Sequence, residues 1–116
     1  MIKEWTMAEK TIKVLLVCAA GMSSSMLEEK IRKAAAAAEC EIELKAIDSM
    51  RITLWDFEKD RMDVVLVAPQ VRFKKRGIAE KAEPQGSVVQ DIDTVAYGMM
   101  DGEKILAQVL DAIKNK

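Results

Sequence analysis

The chain has 116 residues, half of them hydrophobic and 32% charged, a globular balance that fits one compact domain and excludes both a disordered polymer and a multidomain assembly. Lys and Arg number 18 against 19 Asp and Glu, a formal charge of -1, so no overall field draws the molecule to nucleic acid or anionic lipid. Histidine is absent and cysteine occurs twice, which removes the commonest general base and the usual tetrahedral zinc set, and with them serine-hydrolase triads and zinc catalysis.

Residues 1–10 have no clear period and read as a mobile arm ahead of a domain spanning 11–116, with Met7 a second candidate start. The polar opening Met1-Ile2-Lys3-Glu4 lacks the apolar stretch of a secretory signal, and no apolar run approaches the roughly 20 residues of a membrane span, so a cytoplasmic protein with reduced cysteines is expected. From Ile12 to Val17 the β-branched, nearly continuous apolar run predicts a strand covered on both faces. Ser23 to Ala38 then carries Met26, Leu27, Ile31, Ala34, Ala35 and Ala38 at helical spacing. Glu41 to Ala46 alternates polar and apolar with period two, which predicts a half-exposed strand at a sheet edge. In Met50 to Asp60 the residues Leu54, Trp55 and Phe57 fit either one face of a short helix or a packed loop.

Asp63 to Ala68 is a second continuous apolar run, stopped by Pro69, and predicts a strand beside the first. Val71 to Glu83 reads as a polar helix broken by Pro84-Gln85-Gly86, and Ser87 to Ile92 as a short fourth strand. The last helix shows a stripe of Ile105, Leu106, Val109, Leu110 and Ile113, with Asp101 as N-cap, Glu103 in the first turn and Lys114 and Lys116 at the end. Strands alternating with helical segments imply an α/β fold: a four-stranded parallel sheet with helices on both faces. The two most apolar strands take the centre, giving the order 2-1-3-4. The chain reverses its winding between strands one and three, so a crevice opens at their carboxyl ends.

The residues after Val17 enter that crevice: Cys18-Ala19-Ala20-Gly21-Met22-Ser23-Ser24-Ser25. Small residues allow a tight backbone curl, Gly21 tolerates positive φ, the serines can cap a helix or donate to anion oxygens, and successive amides together with a helix N-terminus favour negative charge. These are the residue types of a phosphate-binding loop spanning Ala19 to Ser25. Positive potential beside a thiol lowers its pKa, so Cys18 is expected to be a thiolate nucleophile that carries a phosphoryl group. Cys40 has no such loop after it and is assigned to packing. The intervening helix of roughly 24 Å puts the two thiols beyond disulfide reach.

A thiol ahead of a phosphate loop also marks the low-molecular-weight tyrosine phosphatases, C-x5-R-S, but Ser24 stands where they need the arginine that stabilises the transferring group. Asp91 and Asp93 are the available candidates for a leaving-group acid. A third reading is a flavodoxin-like binding module, against which the five aromatic residues, none of them in the loop, leave no evident clamp for a flavin ring.

Val14 to Leu27 (VLLVCAAGMSSSML), Asp63 to Phe73 (DVVLVAPQVRF) and Ile92 to Gly102 (IDTVAYGMMDG) together resemble the IIB component of the lactose/cellobiose class of the bacterial sugar phosphotransferase system. The similarity runs from about Thr11 to Ile113, with Ser24 where the family usually has threonine. It implies that Cys18 accepts a phosphoryl group from a phosphohistidine of a IIA protein and passes it to a sugar held by a membrane IIC protein. The sugar implied is cellobiose, chitobiose or a related β-linked one. It also implies that Gln70 and Tyr97-Gly98 lie in loops near the crevice. No cofactor and no metal are called for. The basic run Arg72-Phe73-Lys74-Lys75-Arg76 is either a solvated helix face or, beside an anionic site, a means of steering an acidic partner; Gln70, Arg72, Lys74, Lys75 and Tyr97 are therefore the candidate docking residues.

Overall fold

The computed structural model describes residues 11–19 and 25–114; the expected arm 1–10 and the loop residues Ala20, Gly21, Met22, Ser23 and Ser24 lie outside that set. Four strands, β1 (Ile12–Cys18), β2 (Ile42–Asp48), β3 (Val64–Val67) and β4 (Val88–Asp91), form a parallel sheet in the order β2-β1-β3-β4. The helices are α1 (Ser25–Ala37), α2 (Lys75–Ala82), α3 (Thr94–Gly98) and α4 (Gly102–Lys114). The predicted class, strand order and edge position of the second strand agree with this arrangement.

Val14 to Val17 in β1 and Val64 to Val67 in β3 are all essentially inaccessible to solvent. Each such side chain contributes about 1.5–3 kcal/mol of burial, which is why these two runs take the middle of the sheet. Alternation along the strand splits the core. Val14, Leu16, Cys18, Val64 and Leu66 pack against Leu27 and Ile31 of α1 and Ile105 and Val109 of α4. Leu15, Val17, Val65, Val67 and Val89 pack against Ile78 and Ala82 of α2, together with Ile52, Phe57 and Val71.

One stretch that the sequence left open is decided by the structure, and two differ from expectation. Between β2 and β3 there is no α-helix: Arg51–Leu54 is a single 3-10 turn, Phe57 is buried, and Leu54 is 85% exposed and belongs to no core face. Asp48 accepts the N–H groups of Met50 and Arg51 at 2.9 and 2.8 Å, closing a turn where strand two ends two residues later than the alternation predicted. The helix read over 71–83 is three pieces. Pro69 opens a 3-10 turn, Pro69–Lys74, which is kinked at Val71 (φ -122°, ψ 23°), then comes α2, and a further 3-10 turn ends at Gly86 with φ 90°. Finally, Tyr97 and Gly98 lie in α3 and not in a loop. Asp93 Oδ2 accepts the Ala96 N–H at 2.9 Å and so caps this short helix.

Candidate functional site at the carboxyl end of the sheet

Cys18 is the last residue of β1 and pairs with Asp48 of β2. Its position is fixed by the neighbouring backbone: Ala68 N–H donates to Val17 C=O at 2.9 Å, and Ile92 N–H donates to Val67 C=O at 3.0 Å, so the three strand ends finish level with one another. The thiol is 5% exposed and turned to the α1/α4 face. Ala19 is partly buried on the opposite side of the sheet, and Ser25 is the exposed first residue of α1.

Two further predicted residues converge on this end. Gln70 enters from the 3-10 turn that Pro69 initiates after β3, and Tyr97 from α3 after β4. Their side chains share a hydrogen bond, and the phenol lies within electrostatic reach of Cys18. Burial pushes the Tyr97 pKa above its usual value, and negative charge on Cys18 adds to the rise; the hydrogen bond with Gln70 acts in the opposite sense, as an amide donating to the phenol oxygen does. Tyr97 therefore stays protonated through neutral pH and keeps an O–H to donate. It is packed between both core clusters, which restrains its ring.

The basic run splits. Lys75 Nζ lies 3.5 Å from Asp91 Oδ2, at the carboxyl end of β4. Arg76 Nε is 4.0 Å from Glu80, and Arg72 is exposed. Lys74 faces a groove on the α2 side of the sheet, away from the face to which Cys18 turns. Asp91 and Asp93, proposed from sequence as acids, have structural partners in Lys75 and the α3 cap. Cys40 packs beside Ala34, Ala35 and Leu106, at the end of the sheet opposite Cys18, as expected of a packing residue.

Sequence reasoning missed Gln108. Its amide donates to Gln90 Oε1 at 2.9 Å and to Asp91 C=O at 2.6 Å, and its Oε1 accepts the Asp93 N–H at 3.2 Å, tying α4 to the strand end from which Tyr97 is delivered. A polar residue on a helix carries no local sign of such a role. The Asp93 cap did carry one, an aspartate just ahead of Thr94-Val95-Ala96. Among the described residues no helix is long and apolar enough to cross a membrane.

The family model described as PTS system, Lactose/Cellobiose specific IIB subunit matches residues 13–108. The chain is 43% identical over 103 residues to the PTS system galactose-specific EIIB component of Lactococcus lactis subsp. cremoris, covering 87% of this chain and 94% of the relative. It has the same identity and coverage with the cellobiose-specific EIIB component of Lactococcus lactis subsp. lactis. Among solved structures, the cellobiose-specific phosphotransferase IIB component protein of Borrelia burgdorferi superposes with a TM-score of 0.71 at 41% identity, covering 93% of this chain and 96% of that one. A strand order of 2-1-3-4, a thiol ending its central strand and these matches along nearly the whole chain lead to one conclusion: the chain belongs to the lactose/cellobiose-specific IIB subunits of the sugar phosphotransferase system and is a phosphotransferase component of it.

Proposed function

We propose that Cys18 is the covalent phosphoryl carrier, loaded by a phosphohistidine of a IIA protein and discharged to a sugar hydroxyl presented by a membrane IIC protein on the cytoplasmic side. The observation that supports this reading is a buried thiol ending the central strand where three strand ends finish level, with the Tyr97 phenol, hydrogen-bonded to Gln70, within electrostatic reach of it. In the first step a lone pair of Cys18 Sγ attacks phosphorus, an S–P bond forms, and the P–N bond of the donor breaks with its electron pair returning to the imidazole. In the second, a sugar oxygen attacks phosphorus, the S–P bond breaks, the thiolate is regenerated and the hydroxyl proton leaves.

The loop from Ala19 to Ser25 cradles the phosphoryl oxygens with backbone amides and serine hydroxyls. The protonated Tyr97, oriented by Gln70, supplies a donor at the rim for negative charge arriving on the sulfur. Gln70, Arg72, Lys74, Lys75 and Tyr97 form part of the surface that partners meet. Equal identity to a galactose-specific and a cellobiose-specific relative means that overall similarity does not rank the sugars. Our reading assigns a β-linked disaccharide or related sugar, and places the carbohydrate pocket in the IIC protein.

The test is mass spectrometry after exposure to a phosphorylated donor cascade. One phosphoryl group per chain is expected, stable to alkali, labile to iodine, absent in Cys18→Ser and retained in Cys40→Ser. A phosphoryl group that persists in Cys18→Ser refutes the assignment.

A further inference from the structure

On the α2 face of the sheet a groove of about 270 Å³ runs between α2 and the segment joining β2 to β3. Its walls include Phe57, Phe73 and Ile78, with Lys74 and Lys81 alongside. Phe73 is 75% exposed, and it differs from the other exposed apolar side chains in standing over a concave surface that Ile52, Phe57 and Ile78 continue. Gly77 lies inside α2 without a positive φ, and a Cβ added there meets nothing within 4 Å. A glycine inside a helix costs about 0.5–1 kcal/mol relative to alanine. Here no close backbone approach requires it, and its effect is to keep the groove open.

The α2 wall is one-sided in charge, and the two charged residues that line the groove itself, Lys74 and Lys81, are both cations. From Arg72 to Lys81 the chain carries five cations and one carboxylate, Glu80. Glu80 is taken by Arg76 and Lys75 is taken by Asp91, while Lys81 Nζ donates to the Thr53 carbonyl at 3.0 Å and so holds its charge beside the groove. The occupant that fits is a protein segment with a large apolar side chain flanked by carboxylates. Phe73 and Lys74 belong to the 3-10 turn that leaves β3 at the level of Cys18, so a partner seated in the groove is held at the reactive end of the molecule. Of the two proteins that must reach Cys18, the membrane acceptor presents cytoplasmic loops enriched in Lys and Arg, which a basic groove repels. A soluble donor found by diffusion gains on-rate from opposite charge.

We propose that this groove is the docking site of the IIA donor, which inserts an acidic, apolar-anchored segment between Phe73, Ile78 and Phe57. The inference deepens the assignment of Cys18 as acceptor from IIA and rests on it. The experiment is calorimetric titration of the full chain with a purified, unphosphorylated IIA protein of the lactose/cellobiose class, alongside kinetics of transfer from the phosphorylated donor. Phe73→Ala and the plugging variant Gly77→Trp are expected to weaken binding and raise KM about tenfold, the scale of one lost apolar anchor. The maximal rate should stay within about twofold, because docking and not chemistry is affected. Lys74→Glu should weaken binding more at low salt than at high. Unchanged affinity in both Phe73→Ala and Gly77→Trp, with melting curves matching the parent, overturns the proposal. So does a parent protein that binds phosphatidylserine vesicles through the groove, losing them in these two variants while donor affinity stays intact. Docking that behaves as expected while no phosphoryl group reaches Cys18 supports the groove and refutes the carrier assignment separately.

Discussion

Gly102 is where a single methyl group should do the most damage. It is buried at the start of α4, and an added Cβ would fall on the carbonyl of Lys30 in α1, 2.5 Å from its carbon and 2.9 Å from the nitrogen of Ile31. The obstacle is backbone, so no rotamer change relieves it and α1 and α4 must separate. Overpacking of this kind costs about 1–3 kcal/mol, and a backbone clash belongs at the upper end. The better helix propensity of alanine returns at most about 1 kcal/mol. The net expectation for Gly102→Ala is a loss of about 2 kcal/mol, or roughly 8 °C in Tm for a domain of this size. Urea denaturation followed by circular dichroism measures it. Gly77→Ala is the matched control: its Cβ is unobstructed, so the same substitution should stabilise by about 0.5–1 kcal/mol. A Gly102→Ala protein as stable as the parent refutes the close approach of α1 to α4.

The chain has one tyrosine, so tyrosinate absorbance reports Tyr97 alone. Its midpoint should lie above 10.0 and fall towards it in Cys18→Ser, which removes the neighbouring negative charge; a midpoint that does not respond means the two groups are uncoupled. Because the folded phenol binds its proton more tightly than the unfolded one, Tyr97 stabilises the fold fully below pH 10 and loses that contribution as pH rises through the raised value. Tyr97→Phe should abolish this alkaline component in a pH series of urea midpoints. Asp93→Ala should cost about 1 kcal/mol by uncapping α3, with Asp93→Ser recovering most of it in the same denaturation assay. Asp63 is buried, accepts the Lys13 N–H at 2.8 Å and pairs with Arg61 at 3.2 Å; Asp63→Ala should cost about 1–3 kcal/mol through the amide left unpartnered, read as a lower urea midpoint.

Strands one and three were legible because burial on both faces leaves a continuous apolar run, and Val14–Val17 and Val64–Val67 are buried as that rule requires. Their centrality gives the strand order, and the order puts the crevice after Cys18. The last helix was legible too, Asp101 Oδ1 accepting the Lys104 N–H at 3.1 Å as a cap. The 50–60 stretch was not, because its apolar residues serve different ends. Phe57 is core, Leu54 is solvent-facing, and Trp55 spends its indole N–H on the Asp60 carbonyl at 3.1 Å while stacking under Lys45 Nζ at 5.7 Å. Single elements of one turn carry no period to read. α3 escaped for the same reason, although its capping aspartate was visible. Nothing local to Gln70 and Tyr97 announces that they meet; the level ending of β3 and β4 brings them together.

The site is built from parts of unequal rigidity, and that difference has consequences for function. Cys18 is aimed by the deepest layer of the molecule. A slip of one residue in β1 would turn the thiol to the α2 face and expose a different set of apolar side chains, so its direction is as secure as the core itself. Gln70 and Tyr97 depend on short turns held by Pro69, the Asp93 cap and the Gln108 bridge, all at the exposed rim. Loss of one of these devices removes about 1 kcal/mol of stability, yet it loosens the short elements that hold the phenol within electrostatic reach of Cys18. Asp93→Ala should therefore slow phosphoryl exchange in a protein that remains folded at the assay temperature. A buried strand substitution such as Leu16→Ala should instead lose activity only as far as it loses the fold. If exchange rate and folded fraction decline together in both variants, the short turns have no positioning role of their own.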